Sequence, residues 1–117
     1  MNTRAKGSGG ETAAHNYLIK HDYTPVCQNY RGGGYEIDLI VKQEQTVVFV
    51  EVKLRKSNLI GSGREAVTVK KQAHIIRAAE AWAAENECFD VPMRFDVIEI
   101  NLAAKTICHI KNAFGIN

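Results

Sequence analysis

The sequence lacks the signatures of several protein classes. It has only three cysteines, Cys27, Cys88 and Cys108, and no Cys-x-x-Cys spacing, which argues against a disulfide framework or a zinc ribbon. The four histidines stand at no recognised metal-ligand spacing, so we expect surface positions or ordinary packing for them. No apolar run is long enough to cross a bilayer, and the first residues contain no apolar signal segment. We therefore expect a protein of the reducing cytoplasm with no membrane partner.

Neither positive nor negative charge is in large excess. The sequence has 15 lysines and arginines against 13 aspartates and glutamates, a formal net charge of +2. A nucleic-acid partner therefore has to be argued from a local basic patch and not from the total charge. Neither glycine-rich segment has the Gly-Lys-Ser/Thr sequence of a Walker loop, and the order of elements is wrong for a dinucleotide-binding loop. The glycines at 32–34 fit a tight turn or bulge better than a close approach of the backbone to phosphate.

The spacing of apolar residues predicts seven elements. They are helix 11–20, strand 23–30, the two strands of a hairpin over 36–55, helix 64–87, and strands 94–100 and 106–111. The order α-β-β-β-α-β-β predicts a compact α/β domain with two helices on a five-stranded mixed sheet, because each amphipathic helix needs a sheet face for its apolar stripe. We expect this single domain over residues 10–117, large enough to enclose a core without disulfides, after a mobile arm over 1–9.

The second predicted helix has an apolar side and a basic side. The predicted apolar stripe consists of Val69, Ala73, Ile76, Ala79 and Ala83, with Trp82 beside it. The basic residues on or near its N-terminal half are Arg64, Lys70, Lys71 and Arg77. They form either a solvated face or a face that contacts phosphate.

The hairpin over 36–55 has two runs of β-branched and aromatic residues around a polar turn at 43–46. Its register is set by three apolar pairs, Ile37 with Val52, Leu39 with Val50 and Val41 with Val48. A slip of one residue would break all three pairs, because successive side chains of a strand point to opposite faces. The apolar pattern therefore fixes what lies on the other face.

The other face of this hairpin carries opposed charges. The same register places Asp38 opposite Glu51 and Glu36 opposite Lys53. Like charges that are directly opposed destabilise a sheet unless something offsets them. Apolar residues share this face and indicate a partly buried cleft, in which unpaired carboxylates are costly.

Two explanations of the carboxylate pair are open. Asp38 and Glu51 have the oxygen ligands that Mg²⁺ or Mn²⁺ prefers, and a metal would relieve their repulsion and lower the pKa of bound water. Lys53 would then orient or deprotonate the attacking water, or stabilise charge on the phosphate. The other explanation is a cross-strand ion network on a solvated face, which contributes little to stability. Metal binding explains the burial better.

Two runs carry a family resemblance. They are Glu-Ile-Asp-Leu-Ile at 36–40 and Phe-Val-Glu-Val-Lys-Leu-Arg at 49–55, and further similar features recur over about residues 9–100. The sequence resembles the YraN family of predicted endonucleases, whose fold is that of the PD-(D/E)xK restriction-endonuclease and archaeal Holliday-junction-resolvase superfamily. The resemblance implies a Mg²⁺- or Mn²⁺-dependent endonuclease that acts on branched or structured DNA, with a homodimer as in resolvase-like relatives.

The resemblance also implies roles for individual residues. Asp38, Glu51 and the backbone carbonyl of Val52 are the implied metal ligands, Lys53 is the catalytic lysine, and Glu11 is the assisting carboxylate of the first helix. The residues expected to contact nucleic acid are Arg31, Arg55, Lys56, Arg64, Lys70 and Lys71. For Glu11 alone, a favourable interaction with the helix dipole is a sufficient explanation.

One residue departs from the family pattern. Tyr35 stands where the family usually has glycine, directly before the Glu-Ile-Asp run. A tyrosine there either narrows the approach to the site or stacks on a base. Two other functions remain open for the chain, a nucleic-acid-binding module of the same fold that does not cleave, and a protein-interaction subunit with structural carboxylates.

Overall fold

The computed structural model describes residues 8–55 and 67–115. The elements are α1 (Ser8–Lys20), β1 (Thr24–Gly32), β2 (Tyr35–Gln43), β3 (Thr46–Arg55), α2 (Val69–Glu85), β4 (Met93–Asn101) and β5 (Thr106–Phe114). This is the predicted order α-β-β-β-α-β-β. None of the described helices is long and apolar enough to cross a membrane.

The five strands form one mixed sheet in the order β1-β2-β3-β4-β5. β3 and β4 are parallel, whereas the other three neighbouring pairs are antiparallel. The parallel pair is joined by α2, since parallel neighbours need a crossover connection. The predicted fold class is confirmed, and the architecture is compatible with a restriction-endonuclease-like fold.

The two helices cover opposite faces of the sheet. Val48 and Val50 of β3 pack with Leu18 of α1, while Phe49 packs with Trp82 of α2, whose ring meets that of Phe49 edge-on at 5.8 Å. Both faces of β3 are therefore buried, which explains the unbroken apolar run that begins at Val47.

Both helices begin at residues other than the predicted ones. α1 begins at Ser8, within the arm predicted for residues 1–9, of which residues 1–7 lie outside the described part. α2 begins at Val69 and not at residue 64. The Oγ1 of Thr68 accepts a hydrogen bond of 3.1 Å from the backbone N–H of Lys71, which is the N-cap arrangement that starts a helix.

The apolar stripe predicted for α2 is wrong in its first half. Val69 is 80% exposed and Ala73 is exposed. The buried residues are Ile75, Ala78, Ala79, Trp82 and Ala83. Trp82 has the largest apolar surface on the helix, and the face that buries it includes Ile75 and Ala78 at spacings of seven and four residues.

The predicted hairpin register holds only next to the turn. Leu39 pairs with Val50 and Val41 with Val48, as predicted, but the ladder between β2 and β3 ends at Leu39 and Val50. The predicted pairing of Ile37 with Val52 is wrong, and Ile37 packs in the core under α2.

Beyond this point the two strands have different partners. β2 continues its pairing with β1, so that Glu36 lies opposite Arg31, and β3 continues with β4, so that Lys53 lies opposite Glu99. The predicted opposition of Glu36 and Lys53 is therefore wrong. We call the place where β2 and β3 separate, at Asp38 and Glu51, the fork.

Candidate active site

The fork brings the two predicted carboxylates together. The backbone N–H of Val52 donates a hydrogen bond of 2.8 Å to Oδ2 of Asp38. Asp38 is also a hydrogen-bond partner of the Glu51 carboxyl group. Asp38 and Glu51 thus meet beyond the end of the ladder, through a side chain that reaches across the fork, and not as the backbone-paired residues predicted from the sequence.

The carboxyl group of Glu51 lies in an environment that disfavours its charge. Glu51 is 7% exposed. Its pKa is raised from 4.5 to about 8, first by burial and then by the charge of Asp38 and the hydrogen bond with it, against the lowering effect of Lys71 and Lys53. Near neutral pH the pair therefore holds a proton, at a place where a divalent cation would stabilise both carboxylates.

Two lysines approach this pair from different elements. Lys53 follows Glu51 by two residues on β3, so both side chains lie on the same face of the sheet. Lys71 extends from the first turns of α2, and its Nζ lies 3.8 Å from Oε2 of Glu51. Lys71 was expected to contact phosphate, and its half-exposed side chain lies beside the carboxylates.

A main-chain oxygen also points into the fork. The N–H and C=O groups of one strand residue point to the same side of the strand. Because the N–H of Val52 points to Asp38, the carbonyl of Val52 points towards β2 as well. This direction fits its implied role as a metal ligand.

The donor set at the fork fits a magnesium-type ion. The described ranges, 8–55 and 67–115, contain no group of three or more His, Cys, Asp and Glu side chains that could hold a metal. The oxygen donors that the fork offers are the two carboxylates and the carbonyl of Val52. Mg²⁺ and Mn²⁺ accept such oxygens and keep several waters, whereas zinc sites use more nitrogen and sulfur ligands.

The predicted assisting carboxylate, Glu11, lies in the first turn of α1. The preceding residue, Gly10, is buried, and a Cβ atom there would lie 3.3 Å from Cδ1 of Leu54 and 3.8 Å from Cγ1 of Val52. The absence of a side chain at Gly10 lets the start of α1 approach β3 just beyond the fork. Glu11 is partly exposed next to this contact.

The residues predicted to bind nucleic acid have different environments. Arg31 is 83% exposed and lies 3.7 Å from Glu36, and Lys70 is exposed on α2. Arg55 is 25% exposed, and its guanidinium donates a hydrogen bond of 3.2 Å to Glu99. Lys56 and Arg64 lie outside the described residues.

Tyr35, the residue that departs from the family pattern, stacks on the ring of His74 in α2. Its ring lies 4.0 Å from that of His74 on α2, with an angle of 10° between the ring planes. Gly33 of the preceding turn also meets α2, because a Cβ atom there would lie 3.1 Å from the carbonyl oxygen of Arg77. The β1–β2 turn is thereby packed against the same helix that presents Lys71 to the fork.

A buried polar network under α1 was missed in the sequence. Asp96 is fully buried and accepts hydrogen bonds from Arg94 (two of 2.9 Å), the backbone N–H of Asn112 (2.9 Å) and Nε2 of His109 (2.7 Å). Nδ1 of His109 contacts the hydroxyl of Tyr17 at 3.1 Å. His109 was expected at the surface or in ordinary packing, and its side chain, 4% exposed, packs in the interior as part of this network.

The charge of Asp96 is stabilised by these contacts. Burial alone would raise its pKa, but the hydrogen bonds from His109, Arg94 and Asn112 outweigh burial and lower the pKa below its usual value. One feature of the sequence could have indicated this network, namely an aspartate within the apolar run of β4. A charge at a buried position needs hydrogen-bond or ion-pair partners. The network lies on the α1 face, whereas Glu51 and Lys53 lie on the α2 face.

Comparison with known proteins places the chain in a family. The Uncharacterised protein family UPF0102 matches residues 10–100, which include the fork, α2 and Asp96. The chain belongs to the UPF0102 family. It is the YraN family that the sequence resembles, so this prediction is confirmed.

Individual UPF0102 proteins match over nearly the whole chain. The UPF0102 protein of Clostridioides difficile is 43% identical over 97% of this chain and 100% of its own length. That of Geobacter metallireducens is 41% identical over 99% and 97%, and that of Caldicellulosiruptor bescii is 44% identical over 97% and 100%. The similarity therefore includes β5, beyond the residues matched by the UPF0102 family model.

Proposed function

We propose that the chain is a metal-dependent endonuclease that hydrolyses phosphodiester bonds in branched or structured DNA. The observation that carries this proposal is the buried carboxyl group of Glu51 beside the half-buried Asp38 at the fork, with the pKa of Glu51 raised to about 8. A folded chain keeps such a costly pair where it has a use, and perturbed pKa values cluster at functional sites. Lys53 and Lys71 add the positive charge that a phosphate substrate requires.

The residues of the fork have separate tasks in this proposal. Asp38, Glu51 and the carbonyl of Val52 would hold Mg²⁺ or Mn²⁺, which when bound supplies Lewis-acid charge and a more acidic water. Lys53, on the same face as Glu51, orients the attacking water or stabilises charge on the phosphate. Glu11 assists from the start of α1.

Substrate binding in this proposal relies on phosphate contacts. Arg31, Lys70 and Lys71 are exposed or half-exposed cations, and Arg55, Lys56 and Arg64 extend the set. Phosphate contacts give an affinity that depends on salt and little on sequence. A homodimer would present two sites to the two strands of a branched substrate, and the cytoplasm is the proposed location.

A cleavage assay tests the proposal. Purified protein is incubated with plasmid DNA and with a panel of flap, fork and four-way-junction DNAs, with Mg²⁺, Mn²⁺ or EDTA. We expect metal-dependent cleavage that Asp38→Asn abolishes and that Lys53→Met lowers about 100-fold. Glu44→Gln is the matched control, because it changes an exposed carboxylate in the turn of the same hairpin.

The outcomes separate the three functions. Cleavage of no substrate with either metal would refute the endonuclease. Salt-dependent DNA binding that persists in Asp38→Asn, without any cleavage, would indicate a binding module. Neither cleavage nor DNA binding would leave the protein-interaction subunit.

A further inference from the structure

The stacked pair of Tyr35 and His74 lies close to the fork. Tyr35 precedes Asp38 by three residues on β2. His74 follows Lys71 by three residues on α2, and residues at this spacing are neighbours on one side of a helix. Lys71, whose Nζ lies 3.8 Å from Oε2 of Glu51, and His74 therefore extend from the same turn of α2.

Both rings are held in place but are not enclosed. Tyr35 packs against the edge of the core under α2, and both Tyr35 and His74 remain partly exposed. Gly33 has a φ of +61° and lies against the carbonyl of Arg77, which fixes the turn that leads into Tyr35. The pair therefore forms a partly exposed aromatic surface that is packed against α2.

The space next to Tyr35 is open and is bordered by the guanidinium of Arg31, which lies 3.7 Å from Glu36. A shallow cavity of about 270 Å³ is lined by Arg31, Gly32, Gly34 and Tyr35. A Cβ atom at Gly34 would meet nothing within 4 Å. Arg31 is 83% exposed at this cavity. An aromatic ring, an open space and a guanidinium are the components with which proteins bind single-stranded nucleic acid.

We propose that the Tyr35–His74 pair is a stacking platform for an unpaired nucleobase of the strand whose phosphate lies at the fork. This inference rests on the proposed function and narrows its substrate class to DNA with unpaired nucleotides at the cleavage position. Bases of an intact duplex stack on each other and are not available to a protein ring. Stacking on a ring is tolerant of sequence, since every base has an aromatic face.

The test measures binding without cleavage. A 12-nucleotide single-stranded DNA with one 2-aminopurine, and the duplex of the same sequence, are titrated with protein in EDTA. We expect tighter binding of the single strand and quenching of 2-aminopurine fluorescence. Tyr35→Ala should weaken single-strand binding about tenfold and remove the quenching, while duplex affinity changes less than twofold.

Three further variants make the result specific. Tyr35→Phe keeps the ring and should bind the single strand as the wild type does. His74→Ala removes the other ring and should weaken single-strand binding, which gives a second measurement independent of the folding of Tyr35→Ala. Phe89→Ala removes an exposed aromatic ring that is not part of the platform and should have no effect on binding.

The opposite results would overturn the platform. Unchanged single-strand affinity in Tyr35→Ala and His74→Ala would remove its basis, and increased affinity would mean that the ring obstructs the site. These results are independent of the endonuclease. Ring-dependent single-strand binding without metal-dependent cleavage refutes only the nuclease, whereas cleavage that is unaffected by loss of both rings refutes only the platform.

Discussion

The raised pKa of Glu51 has a measurable consequence for stability. An ordinary glutamate has a pKa near 4.5, and in the folded chain the value for Glu51 is about 8. A carboxyl group whose pKa is raised by folding favours the folded state while it is protonated. Stability from this group is therefore complete below about pH 4.5, is lost as the pH rises, and reaches its lowest level above about pH 8.

The size of this loss follows from the two pKa values. Each pH unit between them changes the free energy of unfolding by about 1.4 kcal/mol, which amounts to about 5 kcal/mol over the whole interval. Glu51→Gln has nearly the same shape but cannot ionise, and its amide can still donate a hydrogen bond to Asp38. We expect Glu51→Gln to match the wild type near pH 5 and to be several kcal/mol more stable at pH 9.

The assay is urea unfolding at several values between pH 5 and pH 9. Trp82 is the only tryptophan of the sequence and is buried, so its fluorescence reports unfolding. Glu44→Gln is the control and should follow the wild type at every pH, because Glu44 is exposed. If the free energy of unfolding had the same pH dependence in the wild type and in Glu51→Gln, the raised pKa of Glu51 would be refuted.

Three further predictions concern the metal, the buried network and the turn on α2. Calorimetry should show weak Mg²⁺ or Mn²⁺ binding that disappears in Glu51→Ala. The affinity should rise by up to about tenfold per pH unit towards pH 8, because the metal displaces a proton from the carboxylate pair. The absence of heat at high metal concentration would instead favour an ion pair without metal. Asp96→Asn should lower the free energy of unfolding by about 3–5 kcal/mol, because it breaks a buried pair with Arg94. Since the pKa of Asp96 is lowered, its stabilisation is present above about pH 4 and is lost at lower pH, which urea unfolding from pH 2 to 5 would measure against the exposed control Asp90→Asn. Gly33→Ala should destabilise the fold by more than 1 kcal/mol, because Gly33 has a φ of +61° and a Cβ there would lie too close to α2. Gly9→Ala is the control and should not destabilise the fold, because a Cβ at Gly9 meets no atom within 4 Å. Equal stability of the two variants would contradict the packing of the β1–β2 turn on α2.

The fold class could be predicted from the sequence because helices and strands are indicated by the spacing of apolar residues within short segments. Alternation of apolar residues identified the strands, and the pairs of Leu39 with Val50 and Val41 with Val48 followed from that alternation. The start of α2 was misplaced because the sequence at 64–68 is compatible with a helix. The N-cap hydrogen bond to the Oγ1 of Thr68, which marks the observed start, is not visible in that pattern. Boundaries of this kind depend on a single side-chain contact.

The parts that were not predicted depend on distant residues. The contacts of Asp96 come from positions 94, 109 and 112, and those of His109 extend to Tyr17, 92 residues away in the chain. No spacing rule connects these positions. Likewise, the alternation of Ile37 and Val52 is compatible with a longer hairpin, and it does not reveal that beyond Leu39 and Val50 the strand β2 stays paired only with β1, and β3 only with β4.

The separation of β2 and β3 gives the candidate site its form. In a continuous hairpin, the N–H and C=O groups of Val52 would be used in ladder hydrogen bonds with β2. Because β2 stays with β1 and β3 stays with β4, this N–H is available to hold Asp38 beside Glu51. The carbonyl of Val52 is directed into the same space. The separation of the two strands thus directs this carbonyl towards the two carboxylates, which is the arrangement that the proposed metal site requires.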